Sequence, residues 1–350
     1  MRTFPSINQL RHVVDTVLHR ARYMGHVDAL GKPIYDNTRS LPKLTFKGLV
    51  KLHGTNAGLE FDLEGSVTAI SKERVLTPHN DNFGFATRVS NGPIDIARLH
   101  QVLVDTTPES IKDKVVQWNA YGEWVGKIVN GKTAIGKLPA RWVLFNVLYT
   151  LVDGTEVWRG VDAVADCWHE LYPRSEWIFF ISDYRDYEIT IDFAVPEAAL
   201  DQIEFLTLQV EADCPVARGM GGEPGLGEGI VWTLDDPVYG LLVFKSKGRL
   251  HKGTKNTRLV QIAPEVMESR EAFVDAVLTE SRLDQGFEIL VGRHPRITLD
   301  HIGLFLKWIG QDIMKEESDT LKASGLERKD VMPLVMHAAK AWFLPKIPKV

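Results

Sequence analysis

The chain has 350 residues, 44% of them apolar and 25% charged, and carries a formal net charge of −5. This is the composition of an ordinary folded protein with one large domain or two, and the slight acidity does not advertise a nucleic-acid binder, although local clustering of charge governs phosphate contact. Two cysteines, Cys167 and Cys214, exclude a disulfide framework and lack the spacing of a zinc site, and no apolar run approaches the roughly 20 residues that cross a bilayer. With no apolar signal core in Met1–Leu10, a cytoplasmic protein is expected.

Ser6-Ile7-Asn8-Gln9 has the form of a capping box, and Ile7, Leu10, Val14 and Val17 follow at helical spacing, which predicts an amphipathic helix. A turn-rich stretch, Gly25 to Pro42, leads into a strand in which Phe46, Gly48, Val50 and Leu52 share one face and Lys47, Leu49 and Lys51 the other. Lys51 thus sits at a strand end, just before the turn residues His53-Gly54-Thr55-Asn56. A second strand, Ala57 to Leu63, is expected to close a hairpin with the first. Val67 to Arg74 gives a short strand ending in charge, and helices are expected over Ile94–Val104 and Pro108–Trp118. Asn119–Val125 and Arg141–Val147 have the pattern of strands, carrying Glu123 and Phe145.

Helices are expected within Asp153–Tyr172 and over Val195–Ala212, with a strand near Trp177–Ser182 between them. The glycine-rich run Gly219–Gly229 precedes a strand, Glu228 to Thr233, in which Glu228, Ile230 and Trp232 fall on one face. Leu241 to Lys247 ends in Lys245-Ser246-Lys247, and alternation points both lysines the same way. Two parallel ammonium groups on a buried strand repel each other unless an anion lies between them, which makes a bound phosphate the economical expectation. Beyond the basic stretch ending at Arg258 the pattern turns helical, over Pro264–Ser281, Leu299–Glu317 and Asp330–Phe343. A domain boundary is expected near residue 258, giving domains 1–258 and 259–350.

Lys51-Leu52-His53-Gly54-Thr55-Asn56-Ala57 resembles the nucleotidyl-lysine motif of ATP-dependent ligases and capping enzymes, and most closely that of the RNA ligase 2 family. Tyr121-Gly122-Glu123-Trp124, Arg141–Val147, Glu228-Gly229-Ile230-Val231 and Lys245-Ser246-Lys247 resemble the family's later motifs, in the same order, over residues from about 40 to 255. The resemblance implies an α+β fold with antiparallel nucleotidyltransferase sheets, and the all-helical C-terminal domain, which lies beyond every ATP-contacting candidate, is expected to dock nucleic acid. The resemblance further implies that Lys51 attacks the α-phosphorus of ATP as a neutral amine, that Lys245 and Lys247 favour that form and neutralise the phosphate, and that Glu228 holds a divalent cation. Magnesium is expected, with manganese as the alternative. By the same resemblance Glu123 binds the ribose, Phe145 stacks on adenine, His53 and Asn56 set the geometry at the phosphate, and Arg74 (or Lys72) is the basic residue that follows the lysine motif. The family places an acidic residue before the lysine and an aspartate after the phenylalanine; here they are Val50 and Asn146, which loosens the ATP preference.

The expected function is therefore that of an ATP-dependent RNA ligase, monomeric and without a membrane partner, joining 3′-hydroxyl to 5′-phosphate ends through lysyl-AMP and RNA-adenylate. Its partner would be a nicked duplex or broken RNA, as in nick sealing or RNA repair. A DNA ligase or another nucleotidyltransferase with the same core is an alternative. So is a P-loop phosphotransferase, because Gly126–Thr133 satisfies G-x-x-x-x-G-K-[ST]. That pattern needs a helix after it, and Gly136 and Pro139 interrupt the place where one would lie.

Overall fold

The computed structural model describes residues 2–347 except positions 3, 6, 128, 130, 256, 257 and 295. Ser6 of the expected capping box, and positions 128 and 130 of the loop Gly126–Thr133, lie outside the described residues. In chain order, α1 (Leu10–Arg22) leads to a small hairpin of β1 (Tyr23–Val27) and β2 (Pro33–Tyr35), then to β3 (Lys43–Lys51), β4 (Thr55–Phe61) and β5 (Val67–Ser71). Helices α2 (Phe85–Asn91) and α3 (Pro93–Asp105) precede β6 (Val115–Val125), β7 (Arg141–Leu151) and β8 (Glu156–Arg159). Then come α4 (Asp162–Leu171), β9 (Ile178–Phe180), β10 (Tyr187–Asp192), α5 (Leu200–Ala212), α6 (Pro215–Gly219), β11 (Gly229–Asp236) and β12 (Gly240–Lys247). The chain ends in α7 (Arg270–Val277), α8 (Glu280–Arg293), α9 (Ile302–Ala323) and α10 (Arg328–Phe343). None of the described helices is long and apolar enough to cross a membrane.

Two compact units emerge. One comprises Met1–Ser6, Leu52–Asp186 and Asp213–Gly227; the other comprises Ile7–Lys51, Tyr187–Ala212 and Glu228–Val350. They divide the chain elsewhere than near residue 258, because α7 to α10 belong with β3, β11 and β12. The first unit is built on a sheet of order β5-β4-β6-β7-β8, with β9 running parallel to β7. The second holds the antiparallel sheet β10-β3-β11-β12. The α+β class with antiparallel sheets and C-terminal helices is thus observed, the β7–β9 pair being a parallel exception.

Two local expectations are corrected, and one strand is added. Strand β4 does not pair with β3; it pairs with β5 and β6, while β3 pairs with β10 and β11. The turn at Leu52–Gly54 sends the chain out of one sheet and into the other. Pro108–Trp118 is not helical: after a 3-10 turn at Lys112–Lys114 the chain enters β6, where β-branched Val115 and Val116 suit a pleated ladder and Trp118 pairs opposite Phe61 and Tyr149. Strand β10, which the sequence pattern did not suggest, forms the edge beside β3.

In the second unit the apolar face of β3, with Phe46 and Val50, joins Ile230, Trp232 and Phe244 in a buried layer. Helix α5 packs against β11 and β12. Ser246 anchors the register, since its hydroxyl lies 2.7 Å from that of Thr207 on α5 and accepts the Trp232 indole N–H at 3.0 Å. Ser246→Ala leaves that buried N–H without an acceptor, and we expect a loss of about 1–3 kcal/mol in stability, read as a lower urea midpoint at unchanged slope.

Helices α7 to α10 have their own core, including Phe273, Ile309, Ile313, Val331, Val335 and Phe343. Helix α9 is kinked, with non-helical dihedrals at Glu317 (φ −129°, ψ 15°). Two side chains of α1 and its approach reach the Glu316 carbonyl there, Gln9 Nε2 at 3.0 Å and Arg11 Nη2 at 2.7 Å. Outside donors that compete for a helical carbonyl are a recognised cause of such kinks.

Candidate active site

Within the β3-β11-β12 sheet, Gly229 is the register partner of Lys51 on one side and of Lys247 on the other. Register partners in antiparallel strands point to the same face, so the two lysines flank a residue with no side chain. Neighbouring strands lie about 4.8 Å apart, which leaves a gap of two strand spacings between the lysine backbones. Val231 likewise pairs with Lys245 and Leu49, putting Lys245 on the same face. Gly229 has φ +153°, and a Cβ there would collide with the Ser246 carbonyl. Glycine is required by the backbone as well as by the gap.

The positive φ of Gly229, at the start of β11, breaks regular strand alternation just after Glu228. Strand alternation placed Glu228 with Ile230 and Trp232; instead its carboxylate meets the lysine face. Glu228 is 2% exposed, with Oε2 2.8 Å from Lys51 Nζ and Oε1 2.9 Å from Lys247 Nζ. Lys245 has a different counter-ion, Glu316 of α9, at 2.9 Å from its Nζ. Burial, together with neighbouring Lys247 and Lys51, pushes the Lys245 ammonium below its ordinary value although Glu316 opposes the shift. For Lys247 burial acts in the same downward sense, but Glu228, Glu316 and Asp312 together outweigh it and the net shift is upward. Burial alone would raise Glu316, yet Lys245, Gln9 and Lys247 hold it down at about 2. The anion expected between the paired lysines is supplied here by the protein's own carboxylates.

In the other unit the register Asn56–Glu123–Val143 and Gly58–Tyr121–Asn146 puts Asn56, Tyr121 and Glu123 on one face of the sheet. Glu123 Oε1 accepts the Gly54 N–H at 3.1 Å, fixing the turn of the lysine motif. Gly54 is itself dictated by space, because a Cβ would run into the Trp124 carbonyl. Phe145 is the extra residue of a β-bulge: Leu144 pairs with Gly122 and Asn146 with Tyr121, so Phe145 has no partner in the ladder. Bulges re-aim side chains beside functional sites, and this one keeps Phe145 with Tyr121, edge-on to Phe4 at 4.9 Å between ring centroids. Arg74 donates to Asn80 Oδ1 at 2.6 Å and to the Asp81 carbonyl at 2.7 Å, bracing the loop after β5. His53 is half-buried in the turn after β3. Loop Gly126–Thr133 is followed by a 3-10 turn, Ile135–Lys137, and then by β7; the helix a P-loop requires does not follow it among the described residues.

A divalent cation fits these residues in one way. Among the described residues no three or more His, Cys, Asp or Glu side chains form a metal cluster. A cation at Glu228 would be completed by phosphate oxygens and water, the arrangement magnesium commonly adopts with nucleotides.

The model of the RNA ligase family matches residues 46–247. The chain belongs to the RNA ligase family. The match starts at Phe46, ends at Lys247 and so contains every residue to which a catalytic, nucleotide-binding or metal role is given from the sequence, whereas Glu316, Gln9 and Arg11 lie outside it. No curated protein matches the chain. Among solved structures, similarity is found to an RNA ligase of Naegleria gruberi with pyrophosphate, at 11% identity and a TM-score of 0.41, covering 71% of this chain and 56% of that one. A mutant of that ligase with ATP and Mn gives 10% identity, a TM-score of 0.41 and the same coverages. The chain thus spans a little over half the length of these RNA ligases.

Proposed function

We propose that this member of the RNA ligase family is an ATP-dependent ligase that works through lysyl-AMP. The observation that carries the proposal is the rung Lys51–Gly229–Lys247 with Glu228 in ion pairs with both lysines. The amine of Lys51, once it has lost its proton, attacks the α-phosphorus of ATP. A P–N bond forms, the α–β P–O bond breaks, and pyrophosphate leaves. Lys247 and Lys245 face the charge that builds on the phosphate oxygens, where fixed charges are most effective. Magnesium held through Glu228 would add positive charge to the phosphates. Glu123 and Phe145 are assigned the ribose and the adenine by their motifs. AMP then passes to an RNA 5′-phosphate, and a 3′-hydroxyl displaces it to join the strands.

Incubation with α-labelled ATP and magnesium, followed by denaturation and peptide mapping, tests the proposal. A covalent label on the peptide that contains Lys51 is expected, and a protein that stays unlabelled refutes it. The helices that follow Lys247 support RNA ligase over the DNA ligase and capping alternatives, which append an OB-fold of short strands.

RNA docking is assigned to the basic stretch Lys245–Arg258 and the helices beyond it. Arg249 and Lys255 expose 64% and 54% of their side chains, and in the ion pairs seen they engage the partly buried Glu204 and the exposed Asp275. Arg249→Ala and Lys255→Ala should each weaken binding to nicked duplex RNA and reduce the slope of log affinity against log salt by about 0.7–0.9 for each phosphate no longer neutralised. An unchanged slope in both places the RNA elsewhere.

A further inference from the structure

Lys51 and Lys247 share Glu228, a residue of the matched segment, but Lys245 takes its counter-ion from Glu316, far along the chain on α9. Ile302, Ile309 and Ile313 form an apolar stripe on α9, and the next positions of that stripe are Glu316, Glu317 and Thr320. Carboxylates in such a place are retained only with partners. Those of Glu317 are structural: Arg11 and Arg282, both buried, lie 3.3 and 3.4 Å away. Glu316 faces instead the lysine that the proposed chemistry assigns to the α-phosphate. Its side chain is 14% exposed, its Oε1 contacts Lys245, and its Oε2 accepts the Gln9 amide at 3.1 Å.

A carboxylate oxygen and a phosphate oxygen offer an ammonium group the same kind of acceptor. Lys245 therefore cannot give its full charge to a phosphate while Glu316 holds it at 2.9 Å. The pair opens on a cleft of about 100 Å³ that is also lined by Gln9, Lys247, Arg282 and Gln285. At about 30 Å³ per water, this is room into which one carboxylate can withdraw.

We propose that Glu316 is a built-in competitor of the nucleotide: its carboxylate occupies the phosphate position at Lys245 and yields when ATP binds. This rests on the ligase reading above. Affinity for ATP is then reduced by the fraction of molecules in which Glu316 is seated. Once ATP is bound the carboxylate is already displaced, so the saturated rate does not depend on it.

Glu316→Gln keeps the shape of the side chain and removes its charge. The KM for ATP in lysyl-AMP formation should fall by about 5- to 10-fold, within the usual range of coupling between two equilibria, with kcat unchanged within about twofold. Gln9→Leu, which loosens the anchor of Glu316 and leaves both charges in place, should lower KM in the same sense by a smaller factor. A lower kcat in Glu316→Gln would mean that the carboxylate positions Lys245 for chemistry, and an unchanged KM would mean that it only holds the fold. Either result overturns the proposal. If circular dichroism shows Glu316→Gln unfolded, Gln9→Leu decides the matter, and an unchanged KM there is equally fatal. Calorimetric titration with α,β-methylene-ATP, which keeps the α-phosphate and cannot be cleaved, needs no catalysis and should show tighter binding to Glu316→Gln than to the parent. A parent protein that forms no lysyl-AMP refutes the ligase reading alone, while equal affinities for the analogue refute the competitor.

Discussion

Lys51→Ala should abolish the covalent AMP adduct, while Lys132→Ala should leave it largely intact. Lys51 stands at the end of β3 on the lysine face, level with Gly229 and Lys247 and bonded to the buried Glu228. The middle position of that rung is a glycine, which leaves Lys51 and Lys247 as its amines, and Lys51 is the one carried by the nucleotidyl-lysine motif. Lys132 lies in a loop that leads to a 3-10 turn and a strand, so among the described residues no helix N-terminus follows it to aim at a phosphate. Labelling with α-labelled ATP, measured on both variants, separates the two lysines. Loss of label in Lys132→Ala with retention in Lys51→Ala would reverse the assignment of the nucleophile.

Glu228→Gln is expected to slow lysyl-AMP formation at saturating ATP by about 10²- to 10³-fold, the usual consequence of removing a fixed electrostatic contact to a transition state. One carboxylate holds two lysine ammonium groups at 2.8 and 2.9 Å and is the acidic side chain available at that rung to a divalent ion. Neutralising it takes away both the positioning of Lys51 and the proposed magnesium contact. Two readouts distinguish this from a folding defect. The thermal midpoint should move far less than the rate implies, and the magnesium concentration needed for half-maximal rate should rise. A variant that adenylylates at the parental rate removes Glu228 from the site.

Much of this site was legible because strand periodicity is local. Alternation alone separated Phe46, Gly48 and Val50 from Lys47, Leu49 and Lys51, and set Lys245 and Lys247 on one face; the burial of β3 and β12 follows that pattern. What alternation cannot carry is pairing between strands distant in sequence. Lys51 and Glu228 are 177 residues apart, and nothing within either strand says that β11 rather than the adjacent β4 lies beside β3. Alternation also fails wherever one residue breaks it. The positive φ of Gly229 moved the Glu228 carboxylate to the lysine face, and the bulge took Phe145 out of the ladder. Glu316 left a signal that went unused: the stripe of α9 continues past Ile313 into two acidic residues, and a buried stripe tolerates such residues only where cations await them.

The ion pair between Lys245 and Glu316 sets a limit on modular exchange. The segment 46–247, taken as a cassette, holds Lys51, Lys245 and Lys247 around the Gly229 rung against the carboxylate of Glu228, an excess of two positive charges in that cluster. With α9 present that excess falls to one. A catalytic cassette grafted onto foreign helices would therefore become a stickier surface for polyanions of every kind. The segment that defines the family is shorter than the segment that balances its charge.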